Sequence, residues 1–171
     1  MKQPPEKTPK ESAVEDHTYK IFPNDLNSQA TVFGGTVLSL LDRIAVVVAE
    51  RHSGLACVTV SVDAVHFLAP ARKGDNLIIQ ASINRAWNSS MEIGLRVVAE
   101  HPFINKRTHI LSAYFTFVAL DTTGKKSPVP RVRPETEIQK KRYQEAEIRR
   151  ERRISGAKEV EQFRKSFSKD Q

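Results

Sequence analysis

The segment TVLSLLDRIAVVVAERH, residues 36–52, constrains this chain more than any other, because it sets one carboxylate inside an otherwise apolar helical stretch. Its apolar residues cover nearly every direction of a helical wheel, which predicts a helix buried on most sides. His52-Ser53-Gly54 marks its end, with Gly54 suited to the left-handed position just past a helix. A lone carboxylate in apolar surroundings is costly. Asp42 is therefore expected either to pair with Arg43, Arg51 or His52, or to act as a general base or nucleophile. Gly34-Gly35 opens the helix, where backbone N–H groups and partial positive charge collect. Such a terminus suits a carbonyl oxygen gaining negative charge. The alternative is that two glycines only permit close packing against a sheet.

Spacing adds a constraint. Asp42 follows Gly35 by seven residues, so both share a helical face but stand about 10 Å apart along the axis. One reacting carbonyl cannot touch the glycine amides and also lie within hydrogen-bond reach of that same aspartate. If both act, they come from different chains, which predicts a homodimer with shared sites. Asn27, ahead of the glycines, reads from its neighbours Asn24-Asp25-Leu26 as an Asx turn.

The rest of the chain supplies strands. Thr18 to Phe22 is a short edge-strand candidate closed by Pro23-Asn24-Asp25. Val58, Val60 and Val62 alternate with polar residues, and a phase slip to Val65 and Phe67 predicts a bulge near Asp63-Ala64. Further alternations run through Leu77–Ile83 and Ile93–Val97. Leu111–Leu120 is apolar on both faces, as a central strand would be. The expected class is α+β, an antiparallel sheet wrapped around one long central helix. Residues 1–16 are expected to be disordered, 17–130 to form the domain, and 131–171 to be a charged helical tail. That tail holds 13 Lys/Arg and 8 Asp/Glu, so it carries +5 of the +7 net charge.

Several functions are excluded or disfavoured by pattern. No apolar run reaches the roughly 20 residues of a membrane span. The first residues have no apolar signal core and Cys57 is the only cysteine, so a cytoplasmic location is expected. Gly124-Lys125-Lys126-Ser127 lacks the first P-loop glycine, since Ala119 stands there. There is no Gly-x-Ser-x-Gly elbow, and the five histidines show no metal-ligand spacing, so no metal site is expected. Lys140-Lys141-Arg142 and Arg149-Arg150-Glu151-Arg152-Arg153 have few interleaved aromatics. They read as a solvated helix with i,i+4 pairs rather than a nucleic-acid surface.

Four stretches then carry a family resemblance: Asn27 to Asp42, RHSGLACVTVSVDAVHFLAPARKGD (51–75), SSMEIGLRV (89–97) and AYFTFVALDTTGKKSPVP (113–130). Together they resemble the acyl-CoA thioester hydrolases of the hotdog superfamily, found in bacteria and as tandem domains in animal cytosol. The resemblance implies a hotdog fold over about residues 18–150. It also implies acyl-CoA as substrate, with coenzyme A entering only as part of substrate and product and no other cofactor. It implies Asp42 as catalytic carboxylate, and Asn27 acting with the aspartate of the neighbouring unit. Gly35, with Gly34, would polarise the thioester carbonyl, and Phe33 before them would lie at the substrate. Ser89 and Ser90 would lie near the coenzyme A entrance, though as sequence they are also a polar turn. Thr59 and Ser61 are either donors to Asp42 or the solvent face of a strand. Arg85, Lys73, Arg131 and Arg133 are candidates for the nucleotide phosphates. Self-association into dimers, and into a hexamer built as a trimer of dimers, is expected. The family often has glycine at Ala30 and histidine at Phe33. A non-catalytic acyl-CoA sensor on the same fold is the alternative, but neither terminus shows an output module.

Overall fold

The computed structural model describes residues 5–104 and 106–167. Residues 1–4 of the segment expected to be disordered, and 168–171 of the tail, lie outside the described residues. Two compact units divide between Arg133 and Pro134. In the first, strands β1 (Glu6–Lys7) and β2 (Val14–Lys20) precede helix α1 (Gly34–Ser53). Strands β3 (Ala56–Val62), β4 (Asn76–Ala86), β5 (Ser90–His101), β6 (Lys106–Leu120) and β7 (Arg131–Val132) follow. Five strands form an antiparallel sheet in the order β2-β4-β5-β6-β3. Helix α1 packs on β3, β4, β5 and β6.

The core is what the alternating strands dictate. Leu77, Ile79, Ala81 and Ile83 of β4, Ile93, Leu95 and Val97 of β5, and Ala113, Phe115 and Phe117 of β6 are all buried. Against them α1 lays Val37, Leu41, Ile44, Ala45, Val48, Ala49 and His52, a stripe with steps of three and four residues. The outer side of α1 is open in the single chain, with Ser39, Arg43 and Val47 exposed. Burial on one face therefore replaces the expected burial on most sides, because a five-stranded sheet covers only one side of a helix.

Three other expectations are revised. The edge strand expected at Thr18–Phe22 is β2 and runs over Val14–Lys20, although the turn at Pro23–Asp25 stands. Residues 5–16 are ordered: β1 pairs in parallel with β7, and a short 3₁₀ turn follows at Pro9–Glu11. There the Glu11 carboxylate accepts from the Thr8 backbone N–H (2.6 Å) and hydroxyl (2.9 Å), which anchors a segment whose composition alone suggests no structure. The bulge falls between Thr59 and Ser61, not at Asp63-Ala64. On this edge strand Val58, Val60 and Val62 are 44%, 54% and 46% exposed, while Cys57 turns inward.

The second unit is helix α2 (Glu137–Phe167). Thr136 and Gln139 form its N-terminal capping box: the Thr136 hydroxyl accepts from the Gln139 N–H, and Gln139 Oε1 accepts from the Thr136 N–H. The expected i,i+4 pairs are present, among them Arg149–Glu145 at 3.9 Å and Lys165–Glu161 at 2.5 Å.

The C-terminal end of α1 is tied down from several sides. Gly54 takes φ 72° and its N–H closes on the Glu50 carbonyl, as the sequence predicts. Lys7 Nζ donates to the Arg51 and His52 carbonyls, both at 2.9 Å, placing positive charge at the negative end of the helix. His52 is fully buried; its Nε2 donates to the Pro130 carbonyl at 2.8 Å, and its Nδ1 has no partner. Burial, opposed only in part by that hydrogen bond, lowers the His52 pKa below its ordinary 6.5.

Two predictions follow from this end of the helix. The folded state holds His52 neutral, so its contribution to stability is intact above pH 6.5 and is lost as acid drives the ring toward protonation. Melting temperature measured from pH 7.5 to 5 should fall on acidification. His52→Gln, which cannot titrate, should flatten that slope, and an unchanged slope would remove His52 as the cause. The Glu11 carboxylate, held low by Thr8, contributes stability that is present above its ordinary 4.5 and is lost only on further acidification, a separate window. Gly54→Ala should cost about 1 kcal/mol in denaturant unfolding, because a Cβ is disfavoured at positive φ.

Candidate active site

The loop before α1 is built around Asn27. Its Oδ1 accepts from the Gln29 N–H at 2.9 Å and the Thr31 N–H at 3.2 Å, and its Nδ2 donates to Thr31 Oγ1 at 3.0 Å. The Asx turn suggested by sequence is therefore present. It leaves one Nδ2 hydrogen uncommitted, because a carboxamide carries two. The turn forces Ala30 to φ 56°, a left-handed conformation that glycine adopts more readily.

Helix α1 then starts without a side-chain cap. Phe33 occupies the capping position, where Ser, Thr, Asp or Asn would normally accept from the first amides. The Phe33 carbonyl receives the Thr36 and Val37 amides at 3.0 and 3.2 Å. The Gly34 and Gly35 N–H groups fall among the first four helix amides, which have no acceptor within the helix. Two rings crowd the glycines. A Cβ on Gly34 would meet the Phe67 ring at 3.3 Å, and one on Gly35 the Phe33 ring at 3.2 Å. The close packing that explains the glycines is thus against aromatic rings rather than the sheet.

A cleft of about 380 Å³ opens here, lined by Asn27, Thr31, Gly34, Phe67, Leu68 and Ile110 among others. Asp42 is not part of its lining. Its carboxylate lies two helical turns further on, half-buried, where Thr59 Oγ1 donates to Oδ1 at 2.6 Å. This corrects the picture of a carboxylate sealed in apolar surroundings. The cations offered as partners are used elsewhere or face outward: Arg51 donates to the Ala13 carbonyl, His52 to Pro130, and Arg43 is exposed. Among the described residues Asp42 has no ion-pair partner.

The structure gathers some of the residues singled out by sequence and scatters others. Asn27, Gly34, Gly35 and Phe33 come together at the start of α1; Asp42 and Thr59 form a second cluster. Ser61, beyond the bulge, pairs in register with Thr116. Arg85 stands opposite Glu92 on β4 and β5. Ser89 and Ser90 form the hairpin before β5, their carbonyls accepting from Ala119 at 3.0 Å and Trp87 at 2.8 Å. None of these four lines the cleft. Sequence reasoning missed Thr31, Phe67, Leu68 and Ile110 as lining residues. The available signal was Phe67-Leu68 just before Ala69-Pro70, two large apolar residues that cannot continue a strand through the proline. Among the described residues no cluster of His, Cys, Asp and Glu could hold a metal, and no helix is long and apolar enough to cross a membrane.

Comparison with known proteins fits this arrangement. The thioesterase superfamily family matches residues 29–102. A Bacillus subtilis protein named as an uncharacterized acyl-CoA thioester hydrolase, YkhA, is 41% identical over 137 residues, 80% of this chain and 79% of its own. The mouse cytosolic acyl coenzyme A thioester hydrolase is 40% identical over 131 residues, 75% of this chain but 34% of its own length. The acyl-CoA hydrolase of Staphylococcus aureus, solved with butyryl coenzyme A, coenzyme A and coenzyme A disulfide, superposes with a TM-score of 0.87 at 38% identity. That match covers 96% of this chain and 99% of that one. Variants of the same enzyme have been solved in which one asparagine, one aspartate or one threonine is replaced by alanine. Each lies one position later in that protein's numbering than Asn27, Asp42 and Thr59 here. A hexameric acyl-CoA thioesterase superposes equally well, with a TM-score of 0.87 at 35% identity over 90% of this chain and 97% of that one. Of the two activities weighed from the sequence, hydrolase and sensor, these relatives decide for the hydrolase. The chain belongs to the hotdog-fold acyl-CoA thioester hydrolases, and it is a thioesterase acting on acyl-CoA.

Proposed function

We propose that hydrolysis takes place between two copies of the chain, with the Asp42 carboxylate of one copy facing the Asn27 loop and the Gly34-Gly35 helix start of the other. The carrying observation is the separation within one chain: the cleft contains Asn27 and Gly34 but not Asp42. A second copy supplies the missing carboxylate. The surface that would receive it is already apolar, because the edge strand β3 exposes three valines and the outer side of α1 exposes Val47. The hexameric relatives support assembly beyond the dimer, which we read as a trimer of dimers.

In this reading the acyl chain enters the cleft and the thioester oxygen meets the Gly35 N–H, with Gly34 beside it. Those amides gain strength as the oxygen becomes negative. The free Nδ2 hydrogen of Asn27 holds the carbonyl or the incoming water. Asp42 takes a proton from that water; the water oxygen bonds to the carbonyl carbon, the carbon–sulfur bond breaks, and coenzyme A leaves as thiolate to be reprotonated. Attack by Asp42 itself, through an anhydride, uses the same positions. Thr59 occupies one carboxylate oxygen at 2.6 Å and so fixes the plane of the other. Phe33 and Phe67, exposed in the single chain, exclude bulk water once the second copy covers them. No role in the reaction is assigned to Ser61; Arg85, Ser89 and Ser90 remain proposals for the coenzyme A end of the substrate. Coenzyme A enters as part of the acyl-CoA substrate and leaves as a product, and the mechanism calls on no further group.

Asp42→Asn should lower kcat by at least about 100-fold with little change in KM, the range for loss of a general base. Thr59→Val, which keeps the volume and removes the donor, should lower kcat about tenfold, as for a lost hydrogen bond to a charged group. An unchanged rate would dissociate Thr59 from the reaction. The decisive measurement mixes refolded Asn27→Ala and Asp42→Ala chains, each inactive alone. Random pairing of a two-fold dimer makes half the dimers mixed with one intact site each, so about a quarter of wild-type activity should return. Hybrids that stay inactive overturn the shared site.

A further inference from the structure

A second concavity, of about 140 Å³, lies on the face of the sheet turned away from α1 and is lined by Ile78, Gln80, Arg96, Val98, Arg107 and His109. The strand register explains why these residues meet. Ile78, Val98 and His109 form one cross-strand row on β4, β5 and β6, and Gln80, Arg96 and Ser112 form the next. Side chains in neighbouring rows on one face of a sheet lie within reach of each other. The result is two guanidinium groups and an imidazole over a floor of Ile78 and Val98, with no carboxylate in the lining.

The charges are unevenly committed. Arg107 is partly used: its Nε and Nη2 donate to Glu100 Oε1 at 3.0 and 2.6 Å, and Glu100 is also held by Asn76. His109 Nε2 meets Ser112 Oγ at 3.1 Å. Arg96 has no hydrogen-bond or ion-pair partner among the described residues. The Arg96 guanidinium, exposed above apolar side chains and sharing a concavity with a second arginine, is therefore available to an anion.

We propose that this pocket is a binding site for a small phosphoryl anion, with Arg96 as its principal ligand and Arg107, His109 and Gln80 around it. Guanidinium groups match phosphate oxygens in geometry and charge, and the amide of Gln80 adds a neutral donor. The volume suits a phosphate ester or diphosphate with little attached, not an acyl chain. The pocket is also separate from the cleft. On β6, Ile110 lines the catalytic cleft while its neighbour His109 lines this pocket on the other face. The pairing of β5 with β6 shifts register there, between Val97 and Val98. The site therefore takes a free phosphoryl compound in addition to the substrate, and it stands whether or not the shared catalytic site does.

Isothermal titration of the intact protein with inorganic pyrophosphate tests it directly, with Arg96→Gln as the variant. Arg96 is exposed and outside the catalytic machinery, so the variant should fold and keep its kcat. The expected result is saturable binding by the wild type, weakened at least tenfold in Arg96→Gln and also in His109→Gln. A parallel arm measures KM for acyl-CoA without pyrophosphate. An unchanged KM in Arg96→Gln supports a free anion, and a raised KM instead overturns the separate site by assigning the pocket to the substrate's own phosphates. Absence of binding by the wild type, or equal binding by wild type and Arg96→Gln, overturns the proposal. So does a variant whose main effect is a change in oligomer mass, because the face would then be a contact between copies.

Discussion

Two turns of helix stand between the bare amides of Gly34-Gly35 and the carboxylate of Asp42, and no side-chain rotation spans that distance. The rest of the arrangement follows from this rigid spacing. The helix is fixed at one end by an uncapped start wedged between Phe33 and Phe67, and at the other by Gly54, Lys7 and the Pro130 carbonyl. A helix held so firmly is a ruler. In the proposed mechanism it delivers an electrophilic end and a basic middle to different places, so that a single chain offers two half-sites rather than one whole one.

The two halves are also prepared differently. At the helix start the polar groups are backbone amides, whose position depends only on φ and ψ and whose charge does not titrate. A side chain at either glycine would press against a phenyl ring, 3.3 Å from Phe67 at Gly34 and 3.2 Å from Phe33 at Gly35. At Asp42 the polar group is a side chain with rotational freedom, and a hydrogen bond from the next element, Thr59 on β3, restrains it. On the edge strand β3 one side chain steadies the carboxylate, and the exposed valines form the apolar surface that the proposed dimer would cover.

Much of this was legible in the sequence because the relevant signals are local. The end of α1 at Gly54, the turn at Asp121–Gly124 where the Asp121 side chain accepts from Thr123 and Lys125, and the alternation in β4, β5 and β6 depend on near neighbours alone. The resemblance implied candidate reacting residues that no spacing could single out. Asn27 illustrates the difference. From its neighbours it is an Asx turn, and it is one; the uncommitted hydrogen on Nδ2 becomes meaningful only beside the cleft. The N-terminal segment was illegible for the opposite reason. Its order comes from pairing with Arg131-Val132 and from Lys7 reaching the end of α1, contacts more than forty residues away in sequence.

By itself the sequence determined the class of fold, the length and ends of the central helix, the family and the reaction. These rest on periodicity, turn chemistry and motif order, which a chain carries before it folds. Only the tertiary structure decided that Asp42 is bonded to Thr59 rather than to a cation, and that the glycines are crowded by two phenyl rings. It also decided that the bulge in β3 falls at Thr59–Ser61, and that Arg96, Arg107 and His109 share one pocket. Each of these depends on the register of strands and on the side of the sheet to which a residue turns. Register is settled by packing of the whole core, because a shift of one residue exchanges the two faces.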